Sequence, residues 1–260
     1  MDRYIENKNI KIYLRENIVA NSNKAILLIH GFCEHSGRYE EFINKLNAAG
    51  YSVFAMDLRG HGRTISKKGD LEGINKVISD VRGVVSYIKE SYKFDKFGLF
   101  GHSTGGLAAC LYASLNNDVD FLILSSPAVY CPKKLKVIRY VPYKLLPFLY
   151  LRKKRSESQE MLDYSKNDLY SLKKFSIRSI GVIFVEGIKL LNEILNIRCQ
   201  TLLLCDKKDI LLDEPSKFIE FFNKLASNKK IIMYEEAKHR IVHNEGSEAR
   251  IKDILEWLNN

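Results

Sequence analysis

The strongest constraint on this chain is an alternation. Six short apolar blocks, at 25–29 (AILLI), 51–57 (YSVFAMD), 96–102 (KFGLFGH), 121–127 (FLILSSP), 200–206 (QTLLLCD) and 230–236 (KIIMYEE), have the length and residue types of buried strands. Between them lie segments whose apolar residues recur at helical spacing: 38–49, closed by Gly50, then 74–92, 104–115, 217–226 and 249–258. Segment 10–19 (IKIYLRENIV) adds an early strand. Strands that alternate with helices predict an α/β fold with a mostly parallel central sheet and crossover helices.

The alternation stops at 128–198. This segment is rich in Tyr, Leu, Pro and Lys and has helical rather than strand periodicity, which predicts an inserted helical cap, or lid. The expected organisation is therefore a core of 1–127 and 199–260 with a cap of 128–198. Charge sets the insertion apart as well. The chain carries a net +10, yet 131–198 hold 15 Lys and Arg against 6 Asp and Glu, while the remainder holds 26 against 25. Within it, 135–155 (LKVIRYVPYKLLPFLYLRKKR) interleaves large apolar and basic side chains. Peripheral contact with an anionic membrane would use both, the apolar groups dipping in and the lysines meeting headgroups. A preference for phospholipid-type substrates would use the charge, and a cap burying its apolar face under solvated lysines would use neither. Nucleic acid is not an expected partner, since no binding module accompanies the basic segment.

The rest of the composition is that of an ordinary globular protein, 46% hydrophobic and 28% charged. No stretch approaches the ~18–20 consecutive apolar residues of a membrane span. The first residues, MDRYIENKNIKIYL, lack the apolar region and cleavage site of a signal peptide. The five cysteines form no C-x-x-C pair and no disulfide-like spacing. Together these features predict a cytoplasmic protein. Cys33, in the loop after the first buried strand, is read as a bystander thiol.

The chemistry centres on GHSTG at 101–105, a G-x-S-x-G lying between an apolar strand and a helix. That context is what the motif requires: the serine sits on a strained strand-to-helix turn with its hydroxyl above the sheet. Ser103 is thus the expected nucleophile. The backbone N–H of Thr104, at the helix N-terminus, is the expected donor to a developing oxyanion. Residues 30–39, HGFCEHSGRY, follow the strand AILLI, and the H-G-x turn offers the backbone N–H of Phe32 as a second donor. A serine hydroxyl needs a base, and imidazole titrates near neutrality. Asp209 after the strand QTLLLCD and His239 after KIIMYEE complete the chain order Ser, Asp, His. His243 rivals His239, and Asp206 and Asp213 rival Asp209; His30, His61 and His102 are read as shaping turns. There is no H-E-x-x-H, no Walker-type loop and no G-x-G-x-x-G fingerprint, so neither a metal nor a cofactor is expected.

With these blocks in hand, the chain resembles the monoacylglycerol lipase and lysophospholipase branch of the α/β-hydrolases, a branch often grouped with serine aminopeptidases. The likeness rests on HGFCEHSGRY (30–39), DLRGHGR (57–63), GHSTGG (101–106), DKKDILLD (206–213) and YEEAKH (234–239). It implies the α/β-hydrolase fold, Ser103, Asp209 and His239 as the triad, Phe32 and Thr104 as oxyanion donors, and hydrolysis of an ester of a single-chain lipid through an acyl-enzyme. The pattern departs from the family's in three places. Asp206 stands where a glycine commonly begins the acid turn, Arg240 follows the histidine where Glu is common, and the spacing to Asn244–Glu245 is one residue longer. Other activities on the same residues are a general carboxylesterase or an aminopeptidase or amidase. An acidic cluster in the cap would favour the aminopeptidase, and this cap is basic. A non-catalytic small-molecule-binding protein of the same fold would have no need of all three triad residues.

Overall fold

The computed structural model of the chain describes residues 1–152, 168–243 and 246–259. Most of the basic run at 152–155 and the Asn244–Glu245 pair lie outside the described residues. An eight-stranded sheet forms the centre, in the order β1-β2-β4-β3-β5-β6-β9-β10. Its strands are β1 (Asp2–Asn7), β2 (Ile10–Asn17), β3 (Lys24–Ile29), β4 (Tyr51–Met56), β5 (Lys96–His102), β6 (Phe121–Ser125), β9 (Gln200–Asp206) and β10 (Lys229–Tyr234). The β1–β2 and β2–β4 pairs are antiparallel; every pair from β4 to β10 is parallel.

Both faces of the inner parallel strands are buried. In β3, Ala25, Leu27 and Ile29 join one apolar cluster and Ile26 and Leu28 the other, as a side-chain period of two demands. Helices α2 (Ile74–Ser91) and α3 (Thr104–Leu115) cover the first face through residues such as Val77, Val81, Leu107 and Leu111. Helix α1 (Glu40–Ala48) and the last helix, Ser247–Asn259, cover the second through Phe42, Leu46, Ile251 and Ile254. The strand order reverses at β3, whose two neighbours are β4 and β5. Such a switch point opens a crevice beyond the carboxyl ends of the strands, where ligands of open α/β sheets bind. The register places those ends together: Ile29 pairs with Gly101, His102 with Ser125, Ser125 with Leu204 and Tyr234 with Asp206.

Residues 128–198 are more varied than their periodicity predicts. Two 3-10 turns, Lys133–Tyr140 and Tyr143–Leu145, precede a small antiparallel pair, β7 (Tyr150–Arg152) with β8 (Lys174–Ser176). A helical run follows, with a π-helical turn at Val182–Gly187 between helices Ile177–Gly181 and Ile188–Ile194. Strands of three residues are too short to show alternation, so helical spacing gave no sign of them. Among the described residues, no helix is long and apolar enough to cross a membrane.

Candidate active site

Ser103 stands between β5 and α3 with φ 51° and ψ −114°, a positive φ that non-glycine residues rarely adopt. The corner is held from outside. Ser103 N–H donates to the Ser125 carbonyl (2.9 Å), and the Ser103 carbonyl accepts from Ala128 N–H (2.9 Å) and Leu107 N–H (3.1 Å). The flanking glycines are steric necessities. A Cβ on Gly105 would stand 2.1 Å from the Ile29 carbonyl oxygen, and one on Gly101 2.5 Å from that of Gly105. Strand β3 and the first turn of α3 therefore pass too close for any side chain.

Asp209 and His239 arrive from the loops after β9 and β10. His239 Nε2 lies 3.0 Å from Ser103 Oγ, and His239 Nδ1 lies 2.7 Å from Asp209 Oδ2. The other Asp209 oxygen accepts from Leu211 N–H and Leu212 N–H, both at 2.9 Å. Burial pushes the Asp209 carboxyl upward, but the neighbouring His239 and the two backbone donors outweigh it, so the group sits below its ordinary value. An ionised Asp209 accepts a hydrogen bond from Nδ1–H, which fixes the hydrogen on that nitrogen and leaves Nε2 as an acceptor for the serine hydroxyl. Such a relay is equipped to withdraw that proton and to return it to a leaving group.

The rivals have other work. Asp206 Oδ1 accepts from Lys208 N–H (2.7 Å) and Oδ2 from Ala237 N–H (2.6 Å), so it clamps the Asp209 loop to the His239 loop. Asp213 accepts from Lys133 N–H (3.3 Å). His243 packs edge-on against the Tyr39 ring (4.2 Å), and desolvation pushes its imidazole down to about 4, so it stays neutral. His102 and His61 are likewise pushed down by burial to about 3. His30 accepts from Leu58 N–H at Nε2 (3.0 Å) and donates from Nδ1 to the Gly31 carbonyl (2.7 Å), which ties the two loops at the switch point.

Thr104 opens α3, so its N–H has no acceptor within the helix. Phe32 lies in the loop after β3, its ring edge-on to those of His61 (5.2 Å) and Phe175 (5.0 Å). Asp57 ties two of the motif blocks together: it accepts from Ser36 N–H (2.6 Å) in one and Arg63 N–H (2.7 Å) in the other.

One pair beside the relay escaped sequence reasoning. Arg240, next to His239, places Nε 3.0 Å from Oε1 of Glu34, whose other oxygen accepts from the Tyr39 hydroxyl (2.9 Å). Burial pushes the Glu34 carboxyl up; Arg240, His102 and Arg38 overcome it and hold the group well below the carboxylate range. The only signal was Arg240 itself, an unexpected residue beside the histidine. Nothing in the sequence said that its partner lies in the loop after β3.

A family model described as serine aminopeptidase, S33, matches residues 20–246. The chain belongs to that family. It is similar to the monoglyceride lipase homolog of Monkeypox virus, 29% identical over 250 residues, covering 91% of this chain and 90% of that one. The monoglyceride lipase of Mus musculus is 27% identical over 253 residues, covering 91% and 83%. Among solved structures, the monoacylglycerol lipase of Paleococcus ferrophilus superposes with a TM-score of 0.81 at 25% identity, over 95% of this chain and 98% of that one. The family member described here is a monoglyceride lipase-like hydrolase of the α/β-hydrolase fold, of a class that acts on esters.

Proposed function

We propose that the protein hydrolyses carboxylic esters of single-chain lipids, a monoacylglycerol or lysophospholipid, through an acyl-enzyme on Ser103. The observation that carries this reading is the unbroken relay from Asp209 Oδ2 through His239 to Ser103 Oγ, at 2.7 and 3.0 Å. Ser103 attacks the ester carbonyl as His239 Nε2 takes its proton, and Asp209 stabilises the imidazolium. The Phe32 and Thr104 N–H groups receive the oxyanion. His239 then protonates the departing alcohol, and water activated by the same imidazole cleaves the acyl-enzyme. Residues 128–198 act as a cap on a core of 1–127 and 199–260. Its exposed Tyr140, Leu145, Phe148 and Leu151 stand among Lys136, Arg139, Lys144 and Arg152, a composition suited to peripheral contact with anionic lipid.

Hydrolysis of p-nitrophenyl esters of graded chain length, of monoacylglycerol and of lysophosphatidylcholine tests the reading, with wild type set against Ser103→Ala. Turnover by wild type alone is the expected result, and the chain-length profile separates a lipase from a short-ester esterase. No turnover, together with failure of a fluorophosphonate probe to label Ser103, would overturn it. Co-sedimentation with liposomes containing and lacking anionic lipid tests the membrane contact; absence of salt-sensitive binding would sink that part.

A further inference from the structure

Contacts of three different chemistries run from residues 168–176, the return limb of the basic segment, to the loop after β3. The Phe175 ring meets the Phe32 ring edge-on at 5.0 Å. Leu172 N–H donates to the Cys33 carbonyl at 3.3 Å. His35 Nε2 lies 2.9 and 3.0 Å from the two oxygens of Asp168. The direction of that last bond is set by the other ring nitrogen: His35 Nδ1 accepts from Gly37 N–H (3.2 Å), so Nε2 carries the hydrogen and donates. Asp168 is itself held in place by the Ser171 hydroxyl (2.7 Å) and by the N–H groups of Tyr170 (3.0 Å) and Ser171 (3.2 Å).

The loop that receives these contacts does not hold its shape by local preference. Cys33, directly after Phe32, has φ 63°, in the left-handed region that a non-glycine residue occupies only when its surroundings impose it. Those surroundings include the 168–176 limb, which touches each of residues 32, 33 and 35. We infer that this limb is a positioning element for the Phe32 N–H, with Phe175 and Asp168 as its positioning residues, so that oxyanion stabilisation depends on the inserted segment as well as on the core. The inference rests on the donor role given to Phe32 above. Removing one oxyanion donor costs roughly 10²–10³-fold in kcat, and a displacement of about 1 Å costs a comparable share.

The test uses the full chain and the variants Phe175→Leu, Asp168→Asn and Phe175→Tyr. Leu191→Ala serves as a control, because Leu191 is buried in the core from the same segment but makes none of these loop contacts. For each, kcat and KM on a p-nitrophenyl ester are measured with the inhibition constant of a trifluoromethyl ketone, which forms a tetrahedral oxyanion on the serine. In Phe175→Leu and Asp168→Asn, kcat should fall about 10- to 100-fold with KM within about threefold. The ketone constant should rise by the factor that kcat/KM loses. Phe175→Tyr should recover most of the activity, and Leu191→Ala should lower Tm while leaving kcat and ketone binding in place. Unchanged kcat and ketone binding in Phe175→Leu would overturn the inference, leaving the limb a packing element. A rise in KM alone would overturn it too, making the limb a wall of the substrate pocket. A wild type that neither turns over nor labels at Ser103 would remove the triad reading underneath it, a distinguishable failure.

Discussion

The buried Glu34–Arg240 pair can be probed with Arg240→Met, which keeps an unbranched side chain of similar reach and removes the charge. Glu34 is left as a carboxylate 2% exposed, without the guanidinium nitrogen that stood 3.0 Å away. Breaking a buried pair from one side costs about 3–5 kcal/mol. The lower end applies here, because the Tyr39 hydroxyl (2.9 Å) and Gly31 N–H (3.4 Å) still donate to Oε2. In a chain of this size each kcal/mol moves Tm by about 2–4 °C, so a loss of roughly 6–12 °C is expected in thermal unfolding followed by circular dichroism at pH 7. The pH dependence has a definite sign. The wild-type Glu34 carboxyl is depressed, so its contribution is present above the unfolded value near ~4.3 and lost as pH falls through the folded value. In Arg240→Met the largest charge opposing burial is gone, so that carboxyl should sit higher than in wild type, and the gap from wild type should narrow as the pH falls and Glu34 takes up a proton. The double variant Glu34→Gln/Arg240→Met buries no unpaired charge and should recover most of the loss. A shift below about 3 °C at pH 7, or a double variant no better than the single, would refute the reasoning.

Three further outcomes follow from the geometry. Asp209→Asn keeps the shape of the site but removes the anion that fixes the imidazole tautomer; kcat should fall by about 10⁴ with KM little changed, and a loss under tenfold would count against the relay. Asp206→Ala strips the acceptor from the buried Ala237 N–H (2.6 Å). It should cost about 1–3 kcal/mol in chemical denaturation and slow fluorophosphonate labelling, because the His239 loop loses its tie to the Asp209 loop. Gly105→Ala drives a methyl to 2.1 Å from the Ile29 carbonyl; soluble protein with a wild-type Tm would refute the claim that β3 and α3 leave no room.

The parallel sheet was legible because each of its strands is a local event. KFGLFGH and QTLLLCD coincide with β5 and β9, and 104–115 coincides with α3, since burial on both faces writes itself as an uninterrupted apolar run. Strand β1 left no such mark: DRYIEN is a largely exposed edge strand, and half of its residues are charged. Ser103, Asp209 and His239 are singled out in the sequence by strand-end position and residue type, and the structure brings these three side chains within hydrogen-bond distance of one another. The pairs Glu34–Arg240, Asp57–Ser36 and His35–Asp168 were not legible. Each joins separate loops, and although several members lie in recognisable blocks, nothing in those blocks says which partner each side chain meets.

That the relay draws on β5, β9 and β10 has a consequence for how the protein is made. Ser103 and His239 are 136 residues apart, and contacts of such long sequence separation form late, after their loop-closure entropy has been met. A nascent chain can lay down β3 to β6, with the serine corner already held by Ser125 and Ala128, while the base is still unsynthesised. On the triad proposed above, hydrolytic competence waits for β9 and β10 to join the sheet beside β6. On that reading the growing polypeptide carries Ser103 without its base until the last two strands are in place.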